Sequence, residues 1–251
     1  MPLMIDWPEI IAAWAIMAAS ALLQGCVGFG YALVAGPLLI LLGPHWVPGP
    51  LILGAVALTI STWRRDWRLT TPEERRSIVK EVLWSTLGRL PGIALGATAL
   101  LWIPQQRMGL LVGGMVLLAV GMSLVTRPFH PQPATLIGAG LLSGFMGTTA
   151  SVGGPPMAIL YQWLPANRFR VTLAVFFTFG AILSVLGLAI VGRFGLTELM
   201  LGILMTPGVM AGFFLSNPLV GHLEKKNLRP WVLALATLSA LAAIQHGLRH
   251  L

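Results

Sequence analysis

Of 251 residues, 56% are hydrophobic and 10% charged, and the mean hydropathy is +0.83, which excludes a soluble core of this length and makes lipid the solvent. The formal charge of +8 could be read as nucleic-acid binding, but most basic residues sit in loops beside apolar spans, where orientation in a membrane accounts for them, and no nucleic-acid partner is expected. A single cysteine, Cys26, excludes an intrachain disulfide and a cysteine-based metal site.

The first nine residues carry Asp6 and Glu9 but no Lys or Arg, so they lack the basic region of a cleaved signal, and the first apolar segment is expected to stay in place. Apolar runs bounded by Gly and Pro predict helices near 9–27, 30–43, 48–63, 80–102, 107–125, 134–150, 153–164, 170–191, 196–218 and 229–248. The only long polar stretch, Arg64 to Lys80, contains Thr71-Pro72-Glu73-Glu74. With Thr71 as N-cap, Pro72 at the first helical position and Glu74 at the third, it reads as a capping box whose helix runs on into the membrane.

The two halves match. Leu22-Leu23-Gln24-Gly25-Cys26-Val27-Gly28 aligns with Leu141-Leu142-Ser143-Gly144-Phe145-Met146-Gly147, Val34-Ala35-Gly36-Pro37 with Val152-Gly153-Gly154-Pro155, and Pro91-Gly92 with Pro207-Gly208. This order and spacing predict an internal duplication, with an N-terminal membrane repeat over 1–128 and a C-terminal one over 129–251 in one membrane domain. Each half opens with two helical pieces broken by glycines, between Gly25 and Gly30 and between Gly144 and Gly154.

If each pair returns to its own side as a hairpin, one face collects Arg64, Arg65, Arg68, Arg75, Arg76, Lys80, Arg127, Arg168, Arg170, Lys225, Lys226 and Arg229, and the other only Arg107, Arg193 and Arg249. A continuous crossing gives a far poorer bias, so the positive-inside rule favours hairpins. The expected fold is an all-α polytopic membrane protein of two inverted repeats, each a glycine-broken hairpin plus three transmembrane helices, with both termini periplasmic. Trp7, Trp46 and Trp102 are expected at the outer interface, and Trp63, Trp67, Trp163 and Trp231 at the inner.

Non-helical backbone at membrane depth survives only inside protein or along a water-filled cavity. Two hairpin tips are therefore expected to face each other near mid-membrane, built from Gly25, Gly28 and Gly30 and from Gly144, Gly147, Gly153 and Gly154. Helix ends there would offer unpaired N–H groups to an anion, with Thr148, Thr149 and Ser151 adding hydroxyls and Gln24 an amide. Small residues also let helices pack closely, but the recurrence of the break in both halves, followed by Pro37 and by Pro155 and Pro156, favours a site.

Arg89 lies well inside a span, where a charge costs ~3 kcal/mol. It either attracts an anion or snorkels and bonds backbone within the bundle; the matching position in the second half is Met205. Asp6, Glu9, Asp66, Glu73, Glu74, Glu81, Glu198 and Glu224 fall in loops or at span ends, so no intramembrane carboxylate is expected for a proton relay or cation site. His45, His130, His222, His246 and His250 are scattered, which argues against an intramembrane enzyme or a metal site. Tyr31 and Tyr161 flank the motifs and either orient substrate or pack.

Gly25-Cys26-Val27-Gly28-Phe29-Gly30, with Leu33-Val34-Ala35-Gly36-Pro37-Leu38-Leu39, and Ser143-Gly144-Phe145 through Gly153-Gly154-Pro155-Pro156 to Tyr161 resemble the two signature motifs of the TauE/SafE sulfite exporter family, also called the toluene sulfonate uptake permeases. The resemblance covers nearly the whole chain. It implies a multi-pass permease of the bacterial inner membrane for sulfite, sulfoacetate or related organosulfonates, generally an exporter, whose motif glycines and prolines, with Phe29 beside them, line the translocation site. The chain departs from the glycine-rich form of the second motif at Thr148, Thr149, Ala150 and Ser151.

The resulting expectation is a carrier of a small anion, working as a monomer or homodimer in the lipid bilayer without a cofactor. A carrier of a small neutral metabolite and a non-transporting membrane scaffold stand as alternatives.

Overall fold

The computed structural model describes residues 6–124, 129–220 and 229–249. Arg127, His222, Glu224, Lys225, Lys226 and His250 lie outside the described residues, as does the side chain of Arg229. Among the described residues there are ten α-helices, two short 3-10 turns and no strand. They are α1 (Trp7–Val27), α2 (Tyr31–Leu42), α3 (Gly49–Trp67), α4 (Pro72–Trp102), α5 (Met108–Ser123), α6 (Pro133–Ala150), α7 (Gly154–Tyr161), α8 (Ala166–Ile190), α9 (Leu196–Ser216) and α10 (Arg229–Arg249).

Every predicted segment has its helix. The capping box forms as expected: the Glu74 N–H donates to Thr71 Oγ1 at 3.2 Å and the Thr71 N–H to Glu74 Oε2 at 2.8 Å, starting a helix that continues without interruption to Trp102. Among the described residues five helices are long and apolar enough to cross a membrane: α1, α5 with the turn before it, α8, α9 and α10. Charges set α3 and α4 apart, through Arg64, Arg65 and Asp66 at the end of one and Arg89 in the other.

Glycines at every fourth position set the closest helix contacts. Gly88, Gly92 and Gly96 of α4 lie on the backbone of Ile137, Leu141 and Phe145 of α6, and Gly208 and Gly212 of α9 on that of Trp14 and Ala18 of α1. Numbers rise together along both seams, so each pair is parallel, and any side chain at Gly92 would collide with the Leu141 carbonyl. By contrast α3 and α8 run antiparallel, joined by Thr178 Oγ1–Thr59 Oγ1 at 3.0 Å near their middles and Arg170–Asp66 at 3.0 Å toward one end. The pair α5 and α10 is also antiparallel, with Gly109 against Gly247 and Gly113 against Ala240.

Helices α1 and α2 form a hairpin whose return leg ends beside its start, where Trp46 Nε1 donates to Glu9 at 2.8 Å and His45 lies 3.0 Å from the same carboxylate. The two tips lie beside each other, with Phe29 of the first against Gly154 of the second. Gly28 packs on Arg170 and Gly25 on Ser216, at the end of α3 that carries Arg65, whereas Ser151 Oγ donates to the Pro48 carbonyl at the other end of α3. The hairpins therefore overlap along α3, with Gly36 of α2 against the Ala150 carbonyl.

The breaks are also placed differently. The first turns at Gly28 and Gly30, with φ of 96° and 112°, but the second turns at Ser151, with φ of 64°, about one helical turn later than the alignment predicts. Gly25 is inside α1, and Gly144 and Gly147 are inside α6, where the Arg89 backbone and guanidinium occupy the space a side chain would need. Their missing side chains serve close approach rather than a turn.

Trp46 is fully buried and donates to Glu9, while Trp7, Trp102, Trp163 and Trp231 are exposed. Arg168 and Arg170 belong to the first turn of α8 and are held in ion pairs with Glu81 and Asp66.

Candidate functional site

A cavity of about 60 Å³ lies between the two hairpins, against α3, α4 and α8. That is room for a few waters or one small ion. One wall carries Gln24, Phe29, Gly30 and Tyr31, and the facing wall Gly147, Ser151, Gly153 and Gly154, so residues from both motifs reach the same space. Arg89 from α4 closes one side, and Thr59 of α3 with Phe177 and Ser184 of α8 complete it.

Among the described residues Arg89 is the only charged side chain lining the cavity, and it is buried. Its Nη1 donates to Ser143 Oγ at 3.1 Å, and Ser143 Oγ donates in turn to the Gly153 carbonyl at 2.6 Å, tying the cation to the second break. The guanidinium carbon stands 4.7 Å from the centre of the Phe176 ring, a cation–π contact. No carboxylate pairs with it among the described residues, and Nε has no acceptor. Gly180 of α8 lies against the guanidinium and Gly147 against Nη2, where an added Cβ would stand 3.1 Å away. A five-donor cation is thus held at membrane depth with most of its donors free.

The start of α2 adds to the positive potential. Gln24 Oε1 accepts the Tyr31 N–H at 3.1 Å, which turns the amide NH₂ end of Gln24 free for another partner. Ala32 and Leu33, the next two residues of the helix, also line the cavity, and N–H groups of a first turn have no partner within their own helix. Helix α7 does not repeat this arrangement, because Pro155 and Pro156 in its first turn have no N–H to offer.

The expected hydroxyl donors divide. Thr148 Oγ1 donates to Ser184 Oγ at 3.0 Å, so it acts behind a lining residue. Thr149 Oγ1 bonds the Phe145 carbonyl of its own helix at 2.8 Å and, like Gly25, Gly28, Pro37, Gly144 and Pro155, it lies off the cavity wall. Tyr31 contributes its backbone to the wall, since its hydroxyl donates to Met17 Sδ at 2.8 Å, and Tyr161 is buried beside Glu81 away from the cavity.

Sequence reading missed Ser143 as the link to Arg89, together with Phe176, Gly180, Thr59 and Ser184. Thr59 and Thr178 had a readable signal: they stand 119 positions apart, the same offset that aligns Gly25 with Gly144. Among the described residues no group of three His, Cys, Asp or Glu is placed to hold a metal ion.

A family model described as sulfite exporter TauE/SafE matches residues 12–243. No curated protein and no solved structure matches the chain. The family match spans nearly the full length, including both hairpins, Arg89 and the cavity between them, and the chain belongs to the TauE/SafE sulfite exporter family.

Proposed function

We propose that this chain is a secondary carrier that moves a small anion across the bacterial inner membrane, binding it at Arg89 in the cavity between the hairpins. The observation that carries the reading is the buried, carboxylate-free guanidinium with open donors on the cavity wall. A buried cation without a partner is costly, and an anion bound there would supply the missing charge and acceptors. A neutral metabolite would leave that charge uncompensated, so the anion is the better occupant.

The family supplies the sulfur chemistry, and the volume favours its smallest members, sulfite ahead of sulfoacetate and larger organosulfonates, with export as the direction. An anion leaving an inside-negative cell gains ~2.3 kcal/mol per charge per 100 mV, enough to drive export without a coupling ion.

Access would alternate about the α3–α8 pair. Support for an inverted repeat comes from the antiparallel pairing of α3 with α8 and of α5 with α10, and from the matched positions Thr59 and Thr178 bonding each other. Contact partners also exchange when the halves are swapped, α4–α6 with α9–α1 and α3–α9 with α8–α4. On this reading both termini face the periplasm. Arg65, which donates to the Gly25 carbonyl at 2.9 Å and to Asp66 at 2.7 Å, then seals the cytoplasmic end across the first tip.

Competition tests the substrate class. Uptake of radiolabelled sulfite into liposomes containing the purified protein is expected to fall with excess small oxyanions and to ignore neutral sulfones and sulfoxides of equal size. Equal inhibition by the neutral compounds would overturn the anion reading.

A further inference from the structure

A second recess lies on the outer surface of the bundle, between α3 and α8. Its α3 wall is Ile60, Trp63, Arg64, Trp67 and Arg68, one face of the helix at spacings of three and four, and its α8 wall is Thr178, Phe179 and Ile182. The groove is large, about 750 Å³, and its walls are mainly apolar, with Phe179 and Ile182 exposed. Trp63 packs on Trp67 at 6.0 Å and on Phe179 at 5.8 Å between ring centres, forming its floor.

Length and charge point to its occupant. From Thr59, bonded to Thr178 at the midpoint of the α3–α8 pair, to Arg68 is nine residues, or ~14 Å of helix. One leaflet of hydrocarbon is about 15 Å deep. The groove thus spans a single leaflet, with exposed Arg68 at headgroup depth and exposed Arg64 one turn deeper, its long stem able to carry the guanidinium toward the same level. Neither Arg64 nor Arg68 has an acceptor among the described residues, unlike Arg65, Arg75, Arg168 and Arg170, which are all engaged. The feature is not a by-product of the duplication: applying the 119-residue offset to Arg64 and Arg68 gives Leu183 and Gly187, so the opposite leaflet has no such headgroup site.

We infer that the α3–α8 groove binds one anionic phospholipid of the arginine-bearing leaflet, its acyl chain along Ile60, Trp63, Phe179 and Ile182 and its phosphate between Arg64 and Arg68. The lipid would also touch the transport path, because the Thr59–Thr178 bond that ends the groove at mid-depth joins it to a residue of the central cavity wall.

The test is photo-crosslinking of the full-length wild-type protein in nanodiscs containing either diazirine-tailed phosphatidylglycerol or the same tail on phosphatidylcholine. Labelling of segments 60–68 and 178–182 is expected to favour phosphatidylglycerol by about five-fold per arginine. The preference should vanish in Arg64→Ala/Arg68→Ala, persist in Arg64→Lys/Arg68→Lys, and persist in Arg76→Ala/Lys80→Ala, which removes equal charge outside the groove. Equal labelling by the two lipids in the wild type would overturn the proposal without any variant. So would crosslinks confined to other faces, or a groove covered by a second copy of the chain. Because these readouts are independent of flux, they separate this inference from the carrier proposal.

Discussion

Replacing Arg89 by methionine separates a functional arginine from a structural one. A structural buried cation has partners, and deleting it strands them at ~3–5 kcal/mol. Arg89 has one side-chain hydrogen-bond partner, Ser143, which keeps its bond to the Gly153 carbonyl when Arg89 is gone. Methionine fills much of the same volume against Phe176 and removes a charge that costs ~3 kcal/mol to insert. The folded state should therefore melt at the same temperature or higher. Anion binding should collapse, because two charge-assisted hydrogen bonds at ~1.5–3 kcal/mol each amount to one hundred- to ten-thousand-fold in affinity, roughly. Thermal unfolding in detergent, with and without sulfite, reads both effects. A variant that melts much lower than wild type yet keeps its sulfite-induced stabilisation would refute the reasoning and return Arg89 to a purely structural role.

Three other substitutions probe the surroundings. Gly180→Ala places a methyl where the Arg89 guanidinium lies, so sulfite flux is expected to fall at least about ten-fold, whereas Gly138→Ala, which meets nothing within 4 Å, should leave flux intact and raise helix stability by ~1 kcal/mol. Asp66→Asn leaves Arg65 and Arg170 without their buried carboxylate and should lower stability by ~3–5 kcal/mol, visible as a large drop in melting temperature; an unchanged melting point would mean the cluster is not a closing contact. Gly92→Leu drives a side chain into the Leu141 backbone and should abolish a monodisperse folded species, and normal folding would show that the α4–α6 seam is wrongly placed.

The helices were legible because each apolar run ends at a glycine, a proline or a cap whose chemistry is local; Thr71 and Glu74 needed no tertiary knowledge. The exact break in the second half was not, since whether Gly147 turns or packs depends on Arg89 arriving from another helix. The same limit hid the site's edges. Half of the cavity wall came from motifs, but Thr59, Phe177 and Ser184 stand in regular helix with no local mark, and only packing brings them to Arg89. Tertiary pairing was hidden as well: nothing in the sequence ties Arg168 to Glu81 or Arg170 to Asp66, and the fold pairs both. Arg89 itself stood out from the start, because a lone charge in an apolar run demands a reason at any resolution of knowledge.

The most direct test of the carrier is flux under an imposed potential. Liposomes holding the purified protein and radiolabelled sulfite should release it faster when the interior is made negative and slower when it is made positive, by an amount set by the charge moved, and the Arg89→Met protein should show neither. Release that ignores the sign of the potential, or that survives unchanged in Arg89→Met, would contradict an anion carried through the Arg89 cavity.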